Sequence, residues 1–228
     1  MEDGMQADDM QADDMRARVL PVNAASLALA VDLLRRGKLV VIPTDTVYGV
    51  AADPRNPQAV AAIFAAKHRP AGKSVQVLLP SLDELAEWGL ALPAPLDMLA
   101  TRFCPGGFSP ICVADASCPF ATVREASEEA FPRTQGVRVP ASEDALRILR
   151  QTGPLATSSA NVSGGPSAQT VGQAVAALGD SVALCLDGGP TPGPVSSTVV
   201  AADPSSPDGI AILREGVIGA EEIRAALR

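Results

Sequence analysis

The sequence predicts an α/β protein built on a mixed sheet flanked by helices, and three observations predict it. Helical and extended signals alternate along most of the chain. Continuous apolar runs at Lys38–Ile42 (KLVVI) and Val75–Leu79 read as buried strands. Three further strand signals cluster late in the chain, which points to a mixed sheet and not a purely parallel one.

Asn23 is placed to cap a helix over AASLALAVDLLRR that stops at Gly37, since its side chain accepts from free amides and glycine suits a helix end. The strand KLVVI follows. Asn56 and Pro57 open the next helix, QAVAAIFAAK, because proline at a first helical position loses no bond it would have made. After the run at Val75–Leu79, Ser81 and Glu84 form a capping-box pattern ahead of another helix. A helix after Ser142, a strand at Leu155–Thr157 and a helix after Thr170 come next. The late strands fall near Val182–Leu186, Thr198–Ala201 and Ile210–Leu213, separated by loops rich in Pro, Gly and Ser.

With 228 residues and 47% apolar content, the chain is long enough for a substantial core. Residues 1–14 repeat MQADD and hold six acids with no Lys or Arg, so they are expected to be a disordered acidic tail. Residues 15–228 are expected to fold as a single domain. The tail also locates the charge: of the formal −8, only −2 belongs to the rest. Neither value suggests the basic face of a stand-alone nucleic-acid binder. The acidic N-terminus lacks a signal-peptide pattern and no apolar run is long enough to span a bilayer, so a cytoplasmic protein without a membrane role is expected.

Cys104, Cys112, Cys118 and Cys185 lack CxxC spacing, and His68 is the only histidine. A single histidine cannot supply the two imidazoles of an HExxH zinc site, and no metal ligand is assigned. Gly72, Lys73 and Ser74 imitate the end of a P-loop, but Lys67 occupies the position where its first glycine must stand.

Three segments remain as candidates. Pro43–Gly49 (PTDTVYG) follows a predicted strand, where α/β proteins place ligand contacts, and offers Thr44, Thr46 and Tyr48 to a small polar molecule. The same hydroxyls could equally satisfy a local turn. Lys67 and Arg69 end a helix, where they read either as a solvated cap or as a phosphate clamp. Ser158–Gly164 (SSANVSG), after the strand LAT, is either a polar turn or a loop whose amides approach an anion. Arg138 in GVRVP and Arg214 in AILREG interrupt or end strand-like runs and must be paired or face a cleft.

Taken in order, PTDTVYG, KHRP, PGGFS, VRVP, PLATSSANVSG, LDGG, SSTVV and ILREG resemble the YrdC-type threonylcarbamoyl-AMP synthase family from roughly Ala24 to Ile218. That resemblance implies a YrdC-like twisted mixed sheet around a concave cleft. It implies synthesis of L-threonylcarbamoyl-AMP from L-threonine, bicarbonate and ATP, usually with Mg2+, for a separate tRNA-modifying transferase machinery, direct tRNA contact being weak. It places Lys67, Arg69, Ser159, Asn161, Ser163, Ser167 and Arg214 at the ATP, with Lys67 and Arg69 catalytic. Thr44, Arg138, Thr157 and Ser197 fall where the family holds threonine or its carbamate. Cys104–Gly107 stand where many members have Trp-Pro-Gly-Pro, Ser74 where many have Pro, and Leu78 where some have His. A related enzyme with another acceptor, or a non-catalytic RNA-binding module, are the competing readings.

Overall fold

The computed structural model describes residues 18–70, 72–126 and 130–228. The expected acidic tail, residues 1–14, lies outside them. In chain order the strands are β1 (Arg18–Pro21), β2 (Val40–Ile42), β3 (Gly49–Ala52), β4 (Gln76–Leu78), β5 (Leu90–Ala91) and β6 (Phe108–Ala114). They continue with β7 (Arg124–Glu125), β8 (Arg133–Arg138), β9 (Leu155–Ser159), β10 (Leu184–Asp187), β11 (Thr198–Ala202) and β12 (Ile210–Arg214). The helices are α1 (Ala24–Arg35), α2 (Pro57–Ala66), α3 (Leu96–Phe103), α4 (Glu143–Thr152), α5 (Val171–Leu178) and α6 (Ala220–Ala225). None among the described residues is long and apolar enough to cross a membrane.

The local signals act as the sequence suggests. Asn23 accepts from Ala25 and Ser26 amides, Ser26 completes a capping box, and Gly37 takes φ +75° beyond α1. Asn56 caps α2 ahead of Pro57, Ser142 caps α4 and Thr170 caps α5. The segment after Ser81 is a correction, because it forms two 3-10 turns, Leu82–Glu84 and Ala86–Trp88, and not an α-helix. Ser81 binds Asp83 through both its amide and its carboxylate, leaving Glu84 no part in a box. Gly89 at φ +65° then turns the chain into β5 within a few residues, too soon for a helix to propagate.

The sheet runs β1-β10-β2-β3-β9-β4-β8-β6-β11-β12, with β5 and β7 added at β6 and β8. β1/β10, β10/β2, β4/β8 and β6/β11 are parallel, while β2/β3, β3/β9, β4/β9, β6/β8 and β11/β12 are antiparallel, so the sheet is mixed. Alternation along the strands fills two layers at one end. Val41, Val50 and Ala156 pack with Val60 and Ile63 of α2 and Leu178 of α5. Val40, Ile42, Ala51, Leu78 and Leu155 point to the other face, against Leu27 and Leu34 of α1 and Ile148 and Leu149 of α4. At the other end Val77, Cys112 and Val137 pack beneath the sheet, and Phe108 and Val200 meet α3 and α6. The face carrying Gln76, Ser109, Gly136 and Arg138 forms the floor of a cleft.

Candidate active site

This cleft encloses about 650 Å3, a volume suited to a nucleotide-sized ligand. Among the residues singled out from sequence, Thr46, Arg69, Arg138, Thr157, Ser159, Ser197 and Arg214 line it. They come from six separate parts of the chain, and the strand register explains how they meet. Gln76 of β4 faces Thr157 of β9, and β4 runs beside β8, which carries Arg138.

The PTDTVYG turn divides its hydroxyls between wall and frame. Thr44 donates to Val47 O at 2.6 Å and accepts from the Thr46 and Val47 amides, so it holds the turn shut. Thr46 accepts from Arg138 Nη1 at 2.8 Å. Arg138 is 3% exposed; Nε donates to Gly106 O at 2.8 Å and Nη2 pairs with Asp45 at 2.6 Å. Burial pulls its pKa below the usual guanidinium value, and Asp45 acts in the opposite direction. Tyr48 is not brought to the cleft. Its hydroxyl donates to Gly189 O at 2.7 Å and accepts from the Gly188 amide, and burial pushes it up to about 12.

Lys67, the C-cap of α2, is 1% exposed and neither a solvated cap nor a lining residue. Its ammonium donates to the carbonyls of Ser159 and Asn161, while its own carbonyl accepts from the Ser163 amide at 2.8 Å. Burial, then the charge of Arg69, lowers Lys67 to about 8. Asn161 turns its amide inward, donating to Val162 O and Gly165 O at 2.8 Å. The SSANVSG loop is thereby tied to α2, with Ser159 lining the cleft; Ser163 and Ser167 do not line it.

Arg69 reaches Ser74 O at 2.8 Å, and its buried Nε has no partner among the described residues. A donor left so costs free energy unless a ligand satisfies it. Arg214 donates to Ser197 O at 2.8 Å. Burial and then the charges of Arg138 and Arg69 pull Arg214 downward, so Arg214 lies near enough to both to be repelled by them. Such crowding is relieved by a polyanion.

Sequence reasoning missed Gln76 and Ser109 on the floor. The signal available for the first was a lone amide inside an apolar run, Val75-Gln76-Val77. Among the described residues no group of three or more His, Cys, Asp or Glu could hold a metal ion.

Comparison with known proteins agrees with this fold. The model of the Sua5/YciO/YrdC family, described as telomere recombination, matches residues 32–216. A Mycobacterium tuberculosis protein is 36% identical over 198 residues, covering 87% of each chain. The threonylcarbamoyl-AMP synthase of Bacillus subtilis is 35% identical over 211 residues, covering 91% of this chain, which spans 58% of that relative. Sua5 of P. abyssi, solved in complex with L-threonine, superposes with TM-score 0.78 at 30% identity, covering 92% of this chain and 60% of that one. E. coli YciO shares the fold, with TM-score 0.76 at 21% identity over 91% of this chain and 98% of its own. With four-fifths of its length under the family model, an arginine-lined cleft on a mixed sheet and these relatives, the chain belongs to the Sua5/YciO/YrdC family.

Proposed function

We propose that the chain makes L-threonylcarbamoyl-AMP from L-threonine, bicarbonate and ATP with release of pyrophosphate, for a separate transferase that modifies tRNA. The observation that carries this reading is the convergence of Arg69, Arg138 and Arg214 in one cleft, three cations facing a space that accepts a nucleotide and an amino acid together. Supporting it, relatives of this family carry the name of that synthase, and one was solved with L-threonine.

The chemistry asks for positioning more than for a strong base. Threonine's amine forms a bond to the carbon of carbon dioxide supplied by bicarbonate, losing a proton to give a carbamate. A carbamate oxygen then attacks the α-phosphorus of ATP, and the bond from that phosphorus to the β-bridging oxygen breaks as pyrophosphate leaves. This is adenylyl transfer, so the enzyme is a nucleotidyltransferase. In-line placement and charge compensation supply most of the rate.

In this reading Arg69 and Arg214 face the phosphates, where the unpartnered Nε of Arg69 finds an acceptor. Lys67 serves the nucleotide through the loop it holds, presenting Ser159 and backing Asn161, Ser163 and Ser167. Arg138 has three of its five N–H groups committed to Gly106, Thr46 and Asp45, and offers the others to the amino acid carboxylate. Thr46, Thr157 and Ser197 complete that end, with Thr44 and Tyr48 as frame. The test incubates the protein with ATP, bicarbonate, magnesium and each amino acid, then measures pyrophosphate and the labile adenylate. Threonine-dependent pyrophosphate is expected; release that ignores threonine overturns the reading.

A further inference from the structure

Gln76 lies across the floor of the cleft in a way that neither its strand nor its neighbours require. It sits on β4, whereas Ser109, to which it bonds, sits on β6, with β8 between them. Two strand spacings separate the backbones by roughly 10 Å. The β8 residue beside Gln76 is Gly136, where a Cβ would stand 3.3 Å from Ile111 Cδ1 and 3.7 Å from Gln76 Cβ.

A chain of hydroxyls sets which way that amide points. Ser109 Oγ donates to Gln76 Oε1 at 2.9 Å, and Ser197 Oγ lies 2.8 Å from Ser109 Oγ. Ser109 has one proton and Oε1 can only accept, so the proton goes to Oε1 and Ser197 supplies the other bond. Arg214 Nη2, 3.2 Å from Ser197 Oγ, starts the series. Each donor polarises the next, and the series ends with Oε1 occupied and the two Nε2 hydrogens left for the cleft. An uncharged donor pair matches an uncharged oxygen. Phosphates and carboxylates have the arginines as better partners. On β8, Gly136 and Arg138 are two residues apart and therefore on one face, about 7 Å along the strand. Gln76, Val47 and Ile111 line the same cleft as Arg138, so a ligand whose carboxylate lies at Arg138 shares its space with one amide and an apolar surface.

We infer that Gln76, oriented by Ser109, determines specificity by donating to the side-chain hydroxyl of the amino acid, so that the site selects β-hydroxy amino acids over their hydrocarbon isosteres. This rests on the proposed reaction. A site built to hydrogen-bond a hydroxyl rejects the analogue lacking it strongly, because its own donors are then stranded. The experiment measures kcat/KM for threonine, serine and valine, with pyrophosphate and adenylate as readouts, in the full chain and in Gln76→Met, which keeps length and removes the donors. The threonine-to-valine ratio is expected to fall by about 100-fold while the KM for ATP stays within about threefold. Gln76→Glu, whose carboxylate can still accept the hydroxyl proton, is expected to keep part of the ratio. Ser109→Ala, which frees the amide to rotate, is expected to lower it partly, and it covers the case in which the Gln76 variants fold poorly. A parallel fall for all three amino acids, or a change confined to ATP, overturns the inference while leaving the reaction standing. A wild-type protein that is indifferent to threonine overturns both.

Discussion

Replacing Lys67 with methionine keeps the unbranched apolar stem and removes only the ammonium. The carbonyl of Ser159 still accepts from the Asn161 amide, whereas Lys67 is the donor that the carbonyl of Asn161 has. Stranding one buried carbonyl costs about 1–3 kcal/mol and losing one charge-assisted bond about 1 more, so a destabilisation of roughly 2–4 kcal/mol is expected. Urea unfolding measures it as a shift in midpoint at constant slope. The pH dependence adds a second reading. Lys67 titrates near 8 in the folded chain against 10.5 for an ordinary lysine. Between those values the unfolded state binds more protons, so burial of the ammonium is a penalty that lifts, and stability rises, as pH increases through the window. Burial pushes the thiols of Cys104 and Cys185 up to about 11, an effect of the opposite sign. The difference between wild type and Lys67→Met therefore isolates the lysine. If the variant matches wild type within about 0.5 kcal/mol and the difference is flat from pH 7 to 10, the ammonium does not hold the loop and the reasoning fails.

Arg138→Met is expected to raise the amino acid KM by about 10–150-fold, the worth of one charged hydrogen bond, with the KM for ATP little changed. It should also lower stability by about 3 kcal/mol, since Asp45 loses its buried partner; steady-state kinetics and urea melts measure the two effects. Tyr48→Phe is expected to cost about 1–2 kcal/mol in urea melts and to leave kinetics unchanged, because the hydroxyl serves Gly188 and Gly189 outside the cleft. Gly49→Ala would set a methyl 2.6 Å from Thr157 Cγ2, so a loss of about 1–3 kcal/mol is expected by thermal melt, with a higher amino acid KM as Thr157 shifts.

What the sequence disclosed well was local. Asn23, Asn56, Ser142 and Thr170 signal helix starts because a cap involves residues two or three apart. Ser81 and Glu84 misled because a capping box also needs room for a helix, which Gly89 denies. β3 was missed because Gly49–Ala52 continues a turn motif and has no alternation, being buried on both faces. In the cleft, family order indicated Arg69, Arg138 and Arg214, but direction was not legible. Whether Lys67 faces solvent, phosphate or two carbonyls depends on a loop about ninety residues away. Gln76 acquires its place only when sheet register brings Ser109 of β6 within reach across β8.

In the proposed reaction Arg69, Arg138 and Arg214, gathered in one cleft, act on the end of the catalytic cycle as much as on its start. The inorganic product of the proposed reaction is itself a polyanion, and on that reading it leaves the same cations that gather the nucleotide. Pyrophosphate is thereby a natural competitor of ATP, and its exit becomes a slow step where chemistry is fast. The cleft is poised for reversal while pyrophosphate remains, so net synthesis depends on whatever hydrolyses that product in the surroundings.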